Sequence, residues 1–147
     1  TVEFAIVAPV LLLLMLATAE LGKAFFEYNT LTKAVRDGAR YLSGEASNAA
    51  GIIDLTQNCP VPANLTIDVC TQNLVVYGNT AVTGQAVLNG LSPSQVNVTA
   101  PDAIHVQVTA AYPYAPLFAS GIPTFGFGSG NISVSFTMSA SVTMRAL

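Results

Sequence analysis

Charge is what this chain has least of. Asp, Glu, Lys and Arg make up 9% of its 147 residues, against about 25% in an ordinary soluble domain. The five bases are Lys23, Lys33, Arg36, Arg40 and Arg145, and the net charge is −3. No group of them could displace counterions from a run of phosphates, which argues against nucleic acid as a partner. Tryptophan is absent, and His105 is the single histidine. With no cysteine or acidic cluster nearby in sequence, it reads as structural. After Glu45 the acids are Asp54, Asp68 and Asp102, scattered without the spacing of a carboxylate pair. Gly126-Phe127-Gly128-Ser129-Gly130 is glycine-rich, but a strand pattern follows it where a phosphate loop needs a helix. No nucleophile stands beside a base. The expectation is therefore no catalytic, cofactor-binding or metal-binding residue, and no enzyme.

Cysteine is scarce as well. Cys59 and Cys70 stand eleven positions apart, which is not the spacing of a zinc or redox motif. They are either two buried thiols or a disulfide closing a short loop. Ser, Thr, Asn, Gln and Gly replace charge along the rest of the chain, as is common in exported proteins, and this favours the disulfide. Three Asn-x-Ser/Thr sequons, at Asn64, Asn97 and Asn131, are what such a composition yields by chance. The length suits one domain plus an appendage.

The N-terminal segment is rich in what the remainder lacks. Phe4 to Ala19 carries no charge. As a helix these residues span about 24 Å, a little short of the roughly 30 Å hydrocarbon core of a bilayer. Val2 and Leu21 extend the run, and Lys23 can snorkel to an interface. A signal peptide ending at Ala17-Thr18-Ala19 lacks its basic start. A permanent membrane anchor fits, whereas a buried core helix is opposed by apolarity around the whole circumference. Glu3 is costly to desolvate at the end of such a helix and calls for a partner, although the helix dipole favours it there. Pro9 removes one backbone hydrogen bond, which predicts a kink or local unwinding.

Beyond that run the pattern becomes amphipathic. Leu21, Ala24, Tyr28, Leu31, Val35, Gly38 and Leu42 are spaced 3, 4, 3, 4, 3 and 4, an unbroken heptad seam. Lys23, Glu27, Lys33, Arg36, Asp37 and Arg40 lie between them, with Lys23 and Glu27 placed to pair. Gly44 is a plausible stop. The expectation is one helix over residues 1–44, membrane anchor or filament core in its first half, followed by a β-rich head over 45–147. Strands are expected at Leu65–Cys70, Leu74–Tyr77, Gln95–Thr99 and Ala103–Tyr112. From Ile132 to Met144 apolar residues alternate with Ser and Thr, predicting one thirteen-residue strand of about 40 Å. The sheet has one apolar face, which the helix seam would cover, so the fold class is α+β with an antiparallel sheet. Tyr112–Gly130 reads as a long loop with Pro113, Pro116, Phe118, Pro123, Phe125 and Phe127, folding back on the head or meeting a partner.

The N-terminal segment resembles the TadE-like pilin family of tight-adherence (Tad) systems, a branch of the type IV filament superfamily. The likeness is carried by Val2-Glu3-Phe4-Ala5, Pro9 with the Leu11–Leu14 run, Glu20-Leu21-Gly22-Lys23, Asn29-Thr30-Leu31-Thr32 and Arg36-Asp37-Gly38-Ala39-Arg40-Tyr41. It implies a type IV pilin-like fold and a structural subunit of a pilus. Its precursor would carry a basic leader removed by a prepilin peptidase. The subunit would wait in the bacterial inner membrane and then enter an extracellular filament. Partners would be further copies or other pilins, and the pilus assembly machinery. Glu3, Phe4, Pro9, Leu11, Leu12, Leu13 and Leu14 would form the assembly surface, with Glu3 neutralising a neighbour's N-terminal amine. Glu3 stands two places nearer the start than in mature type IV pilins. The alternative is a minor pseudopilin or membrane-anchored assembly factor that primes or caps a filament of another pilin. A third possibility, an adhesive head, rests on the Tyr112–Gly130 loop.

Overall fold

The computed structural model describes residues 2–48, 50–117, 121–123 and 130–147, without the side chains of residues 2, 3, 5, 6, 122 and 123. Helix α1 runs Val2–Glu45 and α2 runs Ile67–Tyr77. The strands are β1 Val96–Thr99, β2 His105–Pro113, β3 Ile122–Pro123, β4 Asn131–Ile132 and β5 Thr137–Arg145. They form two compact units: Thr1–Glu27 with Pro113–Thr137, and Tyr28–Tyr112 with Met138–Leu147. The fold is α+β, a long N-terminal helix packed on a three-stranded antiparallel sheet ordered β1-β2-β5.

Helix α1 passes through Pro9 without a break. The unwinding expected there does not occur, because a proline deletes one hydrogen bond and an apolar helix keeps the others. Within the second unit Leu31, Val35, Ala39 and Leu42 are fully buried. This is the stripe of an ordinary amphipathic helix laid on a sheet, Leu31, Val35 and Leu42 each contributing roughly 1.5–3 kcal/mol and Ala39 less. Gly38 lies against α2, where a Cβ would overlap Val75 Cγ2, so hydrogen alone permits the close approach. The last residue is tied to the end of α1, the Leu147 N–H donating to the Ser43 carbonyl at 2.9 Å.

Helix α2 replaces the two strands expected at Leu65–Cys70 and Leu74–Tyr77. The β-branched run there favours a strand by propensity. The buried set, however, is Ile67, Cys70, Thr71, Asn73, Val75 and Val76, whose spacing is not the alternation of a strand, so tertiary packing overrides propensity. Thr71 Oγ1 donates to the Ile67 carbonyl at 2.7 Å, so its hydroxyl is buried without penalty. Gly78 ends the helix at φ 71°, donating its N–H to Leu74 O at 2.9 Å. Cys59 and Cys70 are disulfide-bonded, fixing α2 to the preceding loop.

A 3-10 turn at Pro93–Gln95, closed by a Ser92–Gln95 capping box, delays β1 to Val96. Strands β1 and β2 pair antiparallel, with Val96 opposite Ala110 and Val98 opposite Val108. Across β2 and β5, Gln107 Nε2 donates to Thr143 Oγ1 at 3.0 Å, and Thr109 Oγ1 lies 2.9 Å from Ser141 Oγ. The inner face buries Val106, Val108, Ala110, Tyr112, Met138 and Ala140, while Ser139, Ser141 and Thr143 face outward. Period two is thus kept in β2 and β5. The single strand expected from Ile132 to Met144 is nevertheless divided into β4 and β5. In the first unit β4 is drawn to β3, with Ile132 opposite Ile122. Gly121, at φ 87°, sits so near Ile132 that a Cβ would lie 2.5 Å from its carbonyl oxygen.

Candidate functional site

The apolar half of α1 exposes most of its side chains. Phe4 is 74% exposed, and Val7, Val10, Leu11, Leu12, Leu14 and Met15 are exposed with it. Pro9 and Leu13 are half-buried. The Glu3 side chain lies outside the described residues, as do Phe118, Phe125, Phe127 and Gly126–Ser129. Phe4, Ala8, Leu11, Leu12 and Met15 line a shallow apolar groove. Among the described residues one helix is long and apolar enough to cross a membrane. Such a surface is compatible with a membrane or an assembly contact.

Past the apolar run, polar groups gather on one side of α1 within the first unit. Glu20 is 4% exposed. The Tyr114 hydroxyl donates to its Oε2 at 2.5 Å and lies 3.3 Å from its carbonyl oxygen. Such charge-assisted bonds are short and strong. Lys23 Nζ stands 5.0 Å above the Tyr114 ring, donates to the Ala115 carbonyl and lies 3.5 Å from Glu27 Oε1. The Tyr114 ring stacks on Phe136 at 5.0 Å, and the Tyr114 N–H donates to Phe136 O at 2.9 Å. Ala17, Leu21, Ala24 and Val134 complete an apolar pocket of about 230 Å³ beside Glu20. A carboxylate and an ammonium at the end of an apolar helix are thereby satisfied within the chain.

The heptad seam divides along α1. Leu31, Val35, Gly38 and Leu42 are buried, Ala24 is half-buried, and Leu21 and Tyr28 are exposed. In the first unit the inward positions are Glu20, Lys23, Ala24 and Glu27. Apolar spacing alone points to Leu21, and Glu20 has no place in that seam. The signal for Glu20 was available: it directly ends the charge-free run, and Tyr112 and Tyr114 share one face of a strand pattern. Two carboxyls elsewhere, Asp54 and Asp102, hold turns. Asp102 accepts from the backbone N–H of Ile104 at 2.9 Å and meets His105 Nδ1 at 2.7 Å. These contacts, the Ile104 amide foremost, hold its carboxyl below the ordinary value. Asp54 is lowered likewise by the Thr56 hydroxyl and amide. Among the described residues no three His, Cys, Asp or Glu side chains are grouped to hold a metal ion.

Residues 1–40 match the family model of TadE-like proteins. Over that stretch the chain is similar to a structural, pilus-related family, and the match covers the apolar run, the Glu20–Lys23 turn and the Leu31–Ala39 stripe. The head lies outside it. No curated protein and no solved structure matches the chain.

Proposed function

We propose that this chain is a structural pilin subunit that polymerises through its N-terminal helix into an extracellular Tad-type pilus. The exposed apolar face of α1 from Phe4 to Met15 carries the reading. It suits the bilayer before assembly and a helix-packed core afterwards, since helix contacts replace lipid at little cost in apolar surface. Residues 1–44 serve anchoring and core formation, and residues 45–147 form the outward head. Phe4, Pro9, Leu11, Leu12, Leu13 and Leu14 pack between subunits, and Glu3 neutralises the N-terminal amine of a neighbour. The partners are copies of itself or other pilins, a prepilin peptidase and the assembly machinery. The Cys59–Cys70 bond suits an oxidising compartment.

Shearing cells and weighing the filament fraction tests the assignment. A subunit dominates that fraction, and Glu3→Ala depletes it while leaving the head folded. Undiminished filament yield from Glu3→Ala would remove the role given to Glu3. The second reading, a minor pseudopilin that primes or caps a filament of another pilin, is favoured by the match to TadE-like proteins. It requires the chain to be stoichiometrically rare in the same fraction.

A further inference from the structure

Asn89-Gly90 is the one Asn-Gly pair in the chain, and each of the other asparagines is followed by a residue that carries a Cβ. The pair forms the centre of a turn between Leu88 and Leu91, both buried, closed by the Leu91 N–H donating to Leu88 O at 3.1 Å. Gly90 takes φ 88°, the left-handed value that the third position of a type II turn requires. Asn89 and Gly90 are exposed, and with Gln85 and Ala86 they line an open hollow of about 360 Å³ that admits water.

An asparagine side chain carries an electrophilic carbon, Cγ, and a bond from it to the next backbone nitrogen closes a five-membered ring. Two features favour that closure at Asn89. The first is freedom at the reacting groups. Gly90 has no Cβ to crowd the ring, and no atom stands within 4 Å of where one would be. Among the described residues neither the Gly90 N–H nor the Asn89 side-chain amide is held by a hydrogen bond. The second is the Tyr112 hydroxyl, which donates to the Asn89 carbonyl oxygen at 2.9 Å from a buried side chain. That oxygen and the Gly90 nitrogen belong to one peptide group. When the nitrogen gives up its proton, charge spreads to the oxygen, where a donor already in place stabilises it. The other acid or amide before a glycine, Asp37-Gly38, lies inside α1, with its amide engaged in the helix ladder.

We propose that Asn89 is a site of self-modification, where the side-chain amide is lost by cyclisation on the Gly90 nitrogen with the Tyr112 hydroxyl assisting. The Gly90 N–H proton passes to hydroxide, the nitrogen bonds to Asn89 Cγ, and the bond from Cγ to the amide nitrogen breaks. Ammonia leaves, taking a proton from water. Water then opens the succinimide at either carbonyl, leaving an aspartyl or an isoaspartyl residue. Either product adds a carboxylate to a region whose acids after Glu45 are only Asp54, Asp68 and Asp102. In the isoaspartyl form the backbone is one methylene longer, and the oxygen that accepts from Tyr112 belongs to the new carboxylate, giving a charge-assisted bond. The conversion runs one way, so the charge of the head records the age of the chain, whatever the chain assembles into.

Full-length chain, kept folded in detergent and warm, mildly alkaline buffer, tests this by peptide mass mapping and by methyl transfer from an isoaspartyl methyltransferase. The segment holding Asn89 gains one mass unit and becomes a methyl acceptor, while the segments of the other asparagines stay unchanged. Gly90→Ala slows the gain at least about tenfold, and Asn89→Gln, which would close a six-membered ring, stays silent. Tyr112→Phe slows it severalfold with unfolding still cooperative. An unchanged wild-type mass, or a gain spread over the other asparagines, overturns the site. A Tyr112→Phe rate at or above that of the wild type overturns the assistance of the hydroxyl.

Discussion

The Glu20 carboxylate is where the fold is most exposed to single-atom change. At 4% exposure it depends on the Tyr114 hydroxyl. Tyr114→Phe removes that donor and destabilises the detergent-solubilised chain by about 1–3 kcal/mol in thermal unfolding. Combined with Glu20→Ala the two losses fall short of their sum by at least about 0.5 kcal/mol, and strict additivity would dissociate the pair. Asp102 supplies a pH dependence of definite sign. Its carboxyl is depressed by the Ile104 amide and the His105 ring. A depressed carboxyl contributes stability above its unfolded value and loses it as pH falls through the folded one. The amides of Ile104 and His105 therefore lose hydrogen-exchange protection in acid, below the ordinary carboxylate range, and keep it near neutrality. NMR-detected exchange across that range checks this, and a loss centred near neutral pH would point to another group.

At the scale of elements, period was a better guide than propensity. Strand β2 and the Met138–Ala140 part of β5 were legible from alternation, and the Leu31–Leu42 stripe of α1 from its helical repeat. Helix α2 was not, because Val and Ile favour strands and its buried set is decided only by packing against Gly38. The division of β4 from β5 follows from the β3 pairing and the Tyr114–Phe136 stack, contacts between segments far apart in sequence. For the same reason the pairing of Tyr114 with Glu20, 94 positions apart, was not legible, although the special place of Glu20 at the end of the charge-free run was. The Cys59–Cys70 bond holds α2 at its first turns. With a loop of this size, reduction lowers stability by roughly 2–3 kcal/mol, and α2 amides lose protection before those of β2. Urea titration with and without reductant measures the loss, and coincident curves would assign the bond no weight.

In the whole molecule the two units draw on separated stretches of chain, yet the buried core is unevenly shared. Among the described residues every buried apolar side chain except Tyr114 belongs to the second unit. A fragment beginning at Tyr28 therefore still unfolds cooperatively, while its 113–137 segment, deprived of Glu20 and Lys23, is cut faster by protease. Limited proteolysis beside the full chain decides this, and a fragment without a cooperative transition would show that the first unit is needed for the second. The outward side of the sheet has a consequence of another kind. Gln107, Thr109, Ser139, Ser141 and Thr143 present hydroxyls and amides, with Gln107–Thr143 and Thr109–Ser141 joined across the strands, and ionisable groups return on this face at His105 and Arg145. Over those five residues mobile ions have nothing to screen, although they collapse ordinary protein electrostatics to a range of about 10 Å at 0.1 M. Whatever meets that stretch meets neutral hydrogen-bonding groups, and does so equally in fresh water and in brine.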